Sequence, residues 1–289
     1  MTGGPLLFCV GAAKAGTSWL HRVLSDHPGC ALRSIKELHF FDALDRGEVD
    51  RQVAMLAGRR AAYLAEMDGA VPHRLAVRAR QVKDCDDLAE VLRSGDEGAY
   101  LRYLTAGAEG RVTADLTPAY ALLSEDRLRG MAGIAPDVRF LYLVRDPVER
   151  LWSHVRMIAK ARAEKDGNHE GRAAHVLSRV FRGKESEIAV RGDYAAAIGK
   201  LARAVDPRRL MVAVTEEMFT APGLARIMAF LGLATPEADF SRRIHEGSAG
   251  ALAPEARAEA RAWLADQYAF VAEWLGRRPA GWAYGTQGA

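Results

Sequence analysis

An apolar run, PLLFCV (5–10), passes without a break into the small-residue stretch GAAKAGTSWL (11–20). A buried strand feeding a glycine-bracketed loop that opens a helix is a unit of parallel α/β folds, and no other feature constrains this chain as strongly. The small side chains of Gly11, Ala12, Ala13, Ala15 and Gly16 let the backbone approach an anion closely. A helix opened by Thr17, Ser18 and Trp19 turns free N–H groups and the positive end of its dipole toward the same point. The loop departs from the triphosphate pattern G-x-x-x-x-G-K-[ST], in which lysine follows the second glycine. Here Thr17 follows Gly16, and the lysine, Lys14, stands earlier, inside the turn. From there its ammonium reaches over a bound phosphate toward the reacting end.

Two more segments, RFLYLV (139–144) and LMVAV (210–214), are short, apolar and not alternating, as strands of a parallel sheet covered on both faces are. RVTAD (111–115) is a weaker fourth. Between them lie helical patterns. Trp19, Leu20, Val23 and Leu24 recur at helical spacing until His27-Pro28 stops them. Pro147 suits a first helical turn that continues through Leu151, Val155 and Ile158. Near the C-terminus Leu264, Tyr268, Val271 and Leu275 share one helical face, with Gly276 as the cap. The expected fold is a three-layer α/β domain, with a central, mostly parallel sheet, helices on both faces and ligands at the carboxyl ends of the strands. The 289 residues read as one domain with inserted helical or loop segments, about 45–105 and 159–191, shaping an acceptor site.

Composition narrows the partners. Lys and Arg number 40 against 37 Asp and Glu, a net charge of +3 that suits a small anionic ligand and argues against nucleic acid. The three cysteines, Cys9, Cys30 and Cys85, form no CxxC pair, so neither a disulfide framework nor a zinc site is indicated. No basic leader precedes the first apolar run, and none approaches the ~18 residues of a membrane helix. A soluble, cytoplasmic protein is the expectation.

A second anion-binding element is RDPVERLWSHV (145–155). Arg145 emerges where an apolar strand ends, and Ser153 follows eight residues later on the next helix. An arginine fork and a hydroxyl together clamp a second phosphate, separate from the first. Asp146 has two readings: a cap for the helix that Pro147 begins, or the acidic end of a Walker B strand, which calls for magnesium.

Taken together, KAGTSWL (14–20) and RDPVERLWSHV (145–155) resemble the 5′-phosphosulfate loop and the 3′-phosphate motif of sulfotransferases that use 3′-phosphoadenosine-5′-phosphosulfate (PAPS), in the same order. The likeness extends over most of the chain, to a C-terminal helical stretch at 254–276. It implies a PAPS-dependent sulfotransferase that needs no metal and releases 3′-phosphoadenosine-5′-phosphate. In that family the loop lysine contacts the oxygen bridging phosphate and sulfate, which accounts for the early position of Lys14. The implied cofactor residues are Lys14, Ala15, Gly16, Thr17, Ser18, Trp19, Arg145 and Ser153. Tyr194, in RGDYAAAI (191–198), lines the cofactor or acceptor site. Arg242 and Arg243, in SRRIHEGSAG (241–250), are the candidates to cover the 3′-phosphate.

The stretch RSIKELHFFDAL (33–44) is similar to the KE-x-HFFD segment of heparan-sulfate-type and bacterial sulfotransferases. There the glutamate is the general base, which maps to Glu37; His39 is the runner-up, with a packed histidine as its simpler reading. ADLTPAY (114–120) is similar to the family's EKTPAY, with Leu116 where heparan-type enzymes have a lysine. That departure argues against a heparan-like polyanionic acceptor. Lys36, Phe40, Phe41, Asp115, Thr117 and Tyr120 are the candidate substrate-binding residues. The acceptor is a hydroxyl or amine of a small molecule, glycan or lipid. Two rival readings are a P-loop kinase of a small molecule using ATP and magnesium, and a non-catalytic nucleotide-binding member.

Overall fold

All four apolar segments are strands of one parallel sheet: β1 (Leu6–Gly11), β2 (Thr113–Asp115), β3 (Val138–Val144) and β4 (Leu210–Val214), in the order β2-β1-β3-β4. The computed structural model describes residues 4–167, 171–240 and 251–282. Every residue of β1 is buried, which is why its sequence does not alternate. Leu6 pairs with Val138 on one side and with Thr113 on the other, and Phe140 pairs with Leu210. The fourth segment, RVTAD, is shorter than its sequence suggested: Val112 forms an isolated bridge to Cys30, and the strand spans three residues.

From β1 the chain moves outward to β2, and from β3 it moves the other way to β4. The connections therefore diverge at β1 and β3, whose carboxyl ends border the crevice where open α/β sheets bind ligands. Gly11 ends β1 and Val144 ends β3, so the Lys14 loop and Arg145 face each other across that crevice.

The helices form for the reasons the sequence gives. Helix α1 (Thr17–Asp26) buries Trp19, Leu20 and Leu24 and ends at His27, which is extended ahead of Pro28. The segment 40–105 is four helices joined by short turns: α2 (Phe40–Arg46), α3 (Val49–Ala65), α4 (Pro72–Ser94) and α5 (Glu97–Thr105), with α3 and α4 packed on each other. Helix α6 (Glu125–Ala132) precedes β3, and α7 (Pro147–Asp166) follows it. Then come α8 (Arg172–Phe181), α9 (Ser186–Val190), α10 (Tyr194–Ala204), α11 (Thr215–Met218) and α12 (Ala221–Leu231). The C-terminal stretch is two helices, α13 (Pro254–Trp263) and α14 (Ala265–Leu275), broken at Leu264 and closed by Gly276 at φ 63°. These helices cover both faces of the sheet in three layers, as expected.

The segment 159–191 comprises the second half of α7 with α8 and α9. Its charges are partly internal: the Glu185 carboxylate accepts from both Arg162 and Arg179. Among the described residues no helix is long and apolar enough to cross a membrane.

Candidate active site

The loop after β1 is built so that only small residues fit. A Cβ on Gly11 would lie 2.2 Å from the Tyr142 ring, and one on Gly16 would lie 2.9 Å from Met218 Cε. Gly16 has φ 86°, a conformation open to glycine. Helix α1 then starts with neither a side-chain cap nor an acidic residue in its first turn. Its leading N–H groups and dipole are left to an external anion. The buried Thr215 hydroxyl, at the end of β4, donates to the Ala15 carbonyl at 2.8 Å and fixes the loop from below. Thr17 and Trp19 are buried, whereas Lys14, Gly16 and Ser18 are half-buried. Trp19 packs between Phe219 and Phe240, with centroids 5.0 and 6.0 Å away.

Arg145 crosses the crevice. Its Nη1 donates to the Lys14 carbonyl at 3.2 Å. Its own backbone is held by Tyr194, whose hydroxyl donates to the Arg145 carbonyl at 2.7 Å. Tyr194 is fully buried, so it holds Arg145 from behind. Ser153 lies two turns along α7 and is half-buried. Asp146 is a helix cap: Oδ1 accepts from the Val148 and Glu149 amides at 3.0 Å and from the Tyr268 hydroxyl at 2.9 Å. Of its two readings, the cap is the one realised.

Lys14 Nζ lies 3.7 Å from Met157 Sδ, a soft acceptor on α7. Burial, joined by the positive charge of Arg145, pulls the Lys14 ammonium below the ordinary lysine value, while Glu37 opposes the shift. Glu37 is thus near enough for its charge to be felt at the loop.

Glu37 sits in a chain of alternating charge. Lys36 Nζ donates to Glu37 Oε1, His39 Nε2 is 3.7 Å from Glu37 Oε2, and His39 Nδ1 is 2.8 Å from Asp42 Oδ2. Burial pushes the Glu37 carboxyl up, but the His39 and Lys36 contacts outweigh it and hold the group at about 2. Burial pulls His39 down, yet the Asp42 and Glu37 carboxylates lift it to about 9. At neutral pH Glu37 is ionised and His39 is a cation with a carboxylate near each ring nitrogen. An imidazolium in that state cannot accept a proton.

Backbone conformation singles out the same residues. Among the described residues four non-glycines have positive φ: Lys14 (71°), Glu37 (61°), His39 (53°) and Glu109 (52°). Each such residue costs about 1–2 kcal/mol. Three of the four are the catalytic candidates, and conformations of this kind concentrate at functional sites.

The remaining candidates lie beneath this layer. Asp115 Oδ2 accepts from the Tyr100 and Tyr120 hydroxyls at 2.7 and 2.8 Å, and Oδ1 accepts from Thr117 at 2.6 Å. Tyr120 in turn accepts from the Phe40 amide at 3.0 Å. Phe40 stacks on Tyr100 with centroids 4.5 Å apart, and Phe41 packs edge-on against Phe8 and Tyr120. Asp115, Thr117, Tyr120, Phe40 and Phe41 are all at most 1% exposed, so none presents a surface to a ligand in this conformation. They bolt the Glu37 segment onto the end of β2. Of the expected substrate residues only Lys36 has exposed surface. Arg242 and Arg243 lie outside the described residues.

A model of the Sulfotransferase family matches residues 5–237, most of the chain and both anion-binding elements. The chain belongs to the sulfotransferase family. Solved structures of similar fold include the sulfotransferase from Alicyclobacillus acidocaldarius, 23% identical over 97% of this chain and 99% of that one, with TM-score 0.60. Another is the sulfotransferase domain from the curacin biosynthetic pathway, 15% identical over 96% of this chain and 98% of that one, with TM-score 0.50. No curated protein matches it. Sequence reasoning passed over several residues of this sulfotransferase's site. Thr215 and Glu216 follow the apolar run LMVAV directly, the same strand-end signal that picked out Arg145. Glu216 accepts from the Asp146 amide at 3.1 Å and from Trp282 Nε1 at 2.9 Å. Met157 and Tyr268 carried no signal beyond their helical periodicity.

Proposed function

We propose that this sulfotransferase moves the sulfuryl group of PAPS to a hydroxyl or amine of a small-molecule, glycan or lipid acceptor. The observation that carries the reading is the Arg145–Lys14 hydrogen bond, which joins two anion-binding elements in one crevice beside Glu37. Two separate phosphate cradles suit a nucleotide phosphorylated on both sides of its ribose. The open N-terminus of α1, with Thr17 and Ser18, holds the 5′-phosphate. Arg145 and Ser153 hold the 3′-phosphate, with Tyr194 fixing the arginine. The donor supplies an activated sulfuryl group whose leaving oxygen already belongs to a phosphate.

The chain's residues do the rest. Glu37 accepts the proton of the attacking hydroxyl or amine as its oxygen or nitrogen bonds to sulfur. The bond from sulfur to the bridging oxygen breaks, and its electron pair stays on the departing bisphosphate. Lys14 neutralises that growing charge from within the loop. Lys36 is the adjustable part. While it pairs with Glu37 it depresses the carboxylate's basicity; turning to an incoming sulfuryl group raises that basicity when a base is needed. His39, already protonated, orients Glu37.

The test is a coupled sulfuryl-transfer assay with PAPS on wild type and Glu37→Gln. The variant is expected to bind adenosine 3′,5′-bisphosphate as wild type does and to lose at least 100-fold in turnover, on the order of general-base contributions. Full activity in the variant overturns the assignment of the base.

A further inference from the structure

A groove runs down the outer face of α1, away from the nucleotide loop. It encloses about 560 Å³ and is lined by His21 and Ser25 of α1, Ser34 of the Glu37 segment, Arg80 of α4, and Arg33 and Arg111. Helix geometry gives its position. Four residues separate Thr17 from His21 and eight separate it from Ser25, or about 6 and 12 Å along the axis. One end lies close to the catalytic segment: Ser34 precedes Lys36 by two residues, and the His21 ring feels the charges of both Lys36 and Glu37.

The groove's arginines are held in an unusual way. Arg80 Nη2 donates to the Leu32 carbonyl at 2.7 Å. Arg111 donates to the carbonyls of Ala108, Gly107 and Cys30 at 2.9, 2.6 and 3.5 Å. Among the described residues neither has a carboxylate within salt-bridge distance. Carbonyl oxygens orient a guanidinium without neutralising it, and each guanidinium has five N–H donors. Arg33 differs: it lies 3.5 Å from Asp84 and over the Tyr103 ring at 4.5 Å. The Asp84 carboxylate is fully engaged, since its other oxygen accepts from the Ser34 amide and hydroxyl. Among the described residues Asp26 is the one carboxylate on the lining, and it is exposed. Two fixed, uncompensated guanidiniums therefore face a polar hollow beside the catalytic base.

We propose that this groove takes an anionic group, a carboxylate or a phosphate, carried by the acceptor at the end remote from the nucleophile that Glu37 activates. The inference rests on the reading of Glu37 as the base. It narrows the acceptor class to molecules with one anionic end and one hydroxyl or amine end. Such an acceptor lies along α1, with its charge on Arg80 and Arg111.

The test follows the Nε–Hε NMR signals of Arg80 and Arg111 during titration with inorganic phosphate and, separately, with butyrate. Saturating adenosine 3′,5′-bisphosphate keeps the nucleotide crevice filled. Saturable shifts of these two signals by either anion are expected, and the anion that acts names the class. Ser25→Asp places a carboxylate on the wall without removing a packed side chain, and Arg80→Gln removes one guanidinium. Each is expected to weaken the anion about tenfold or more, the scale of a charged hydrogen bond. No saturable shift, or shifts untouched by both variants, overturns the proposal. A second arm compares transfer to an ω-hydroxyalkanoate, an ω-hydroxyalkyl phosphate and the uncharged diol of equal length. The charged acceptor that matches the titration is expected to have the lower KM, an advantage lost in Ser25→Asp; equal KM values overturn it. Failure of all three acceptors together with intact anion binding counts against sulfuryl transfer itself, so the two readings fail separately.

Discussion

The Arg145 guanidinium donates to the main-chain carbonyl of Lys14 at 3.2 Å, although 131 positions separate the two residues. Arg145 follows β3 directly and Lys14 lies in the loop after β1, and the sheet order makes them neighbours. The contact predicts unequal losses. Arg145→Ala removes a charged hydrogen-bonding group from both the loop and the ligand, and is expected to weaken adenosine 3′,5′-bisphosphate about 10- to 100-fold in calorimetry. Lys14→Ala leaves the loop amides in place. Its larger effect falls on turnover, about 100- to 1,000-fold, the scale for losing one donor to a developing charge. Unchanged bisphosphate affinity in both variants would remove the nucleotide site from this crevice.

His39 provides a pH test. Its folded value of about 9 lies above the ordinary imidazole value of 6.5. Its contribution to stability is therefore complete below 6.5 and fades as pH rises through about 9. Glu37 runs the other way: its contribution holds above 4.5 and is lost as pH falls toward 2. The His39 ring signals in NMR are expected to titrate near pH 9, and Asp42→Asn is expected to move that midpoint down. A midpoint near 6.5 in wild type would dissolve the charge chain.

Asp115 carries three hydroxyl hydrogen bonds in a fully buried place. Asp115→Ala leaves Tyr100, Thr117 and Tyr120 without their acceptor, at about 1–3 kcal/mol for each group left unpaired. A fall in melting temperature of several degrees is expected, with bisphosphate affinity changed far less than turnover. A loss confined to nucleotide binding would contradict the supporting role given to this network.

Gly11→Ala puts a methyl group against the buried ring of Tyr142, which packs edge-on to Tyr194 at 6.1 Å. Displacing Tyr142 pushes on the residue that holds the Arg145 backbone. The variant is expected to lose about 1–3 kcal/mol of stability, the usual cost of overpacking, and to bind bisphosphate more weakly. Reduced stability with full affinity would separate the loop from Arg145.

Much of the molecule was legible in its sequence. The strands announced themselves because burial on both faces leaves unbroken apolar runs, and Pro28, Pro147 and Gly276 marked helix ends by backbone chemistry. Lys14 and Arg145 stand out by chain position, in the loop after one strand and at the end of another, whereas Glu37 is singled out by its likeness to the KE-x-HFFD segment. What escaped is what only tertiary packing decides. Phe40, Phe41 and Tyr120 are candidate substrate contacts in sequence, yet Asp115 holds Tyr120 inside, Tyr120 holds the Phe40 amide, and Phe41 packs on the same rings. Glu216 and Tyr268 gain their places through partners 70 and 122 residues away, a relation no local pattern encodes.

The Asp146 cap depends on Tyr268 of α14, and the Tyr194 amide donates to Gln267 of the same helix at 2.7 Å. Arg145, proposed above to hold the 3′-phosphate, is thus braced through Asp146 and Tyr194 by one helix far along the chain. While the ribosome is still adding residues before 267, β1, its loop and β3 can already pair, yet Arg145 lacks that brace. A nascent chain paused at that stage would carry a folded sheet and half of the proposed nucleotide site, so competence to bind donor would wait for α14.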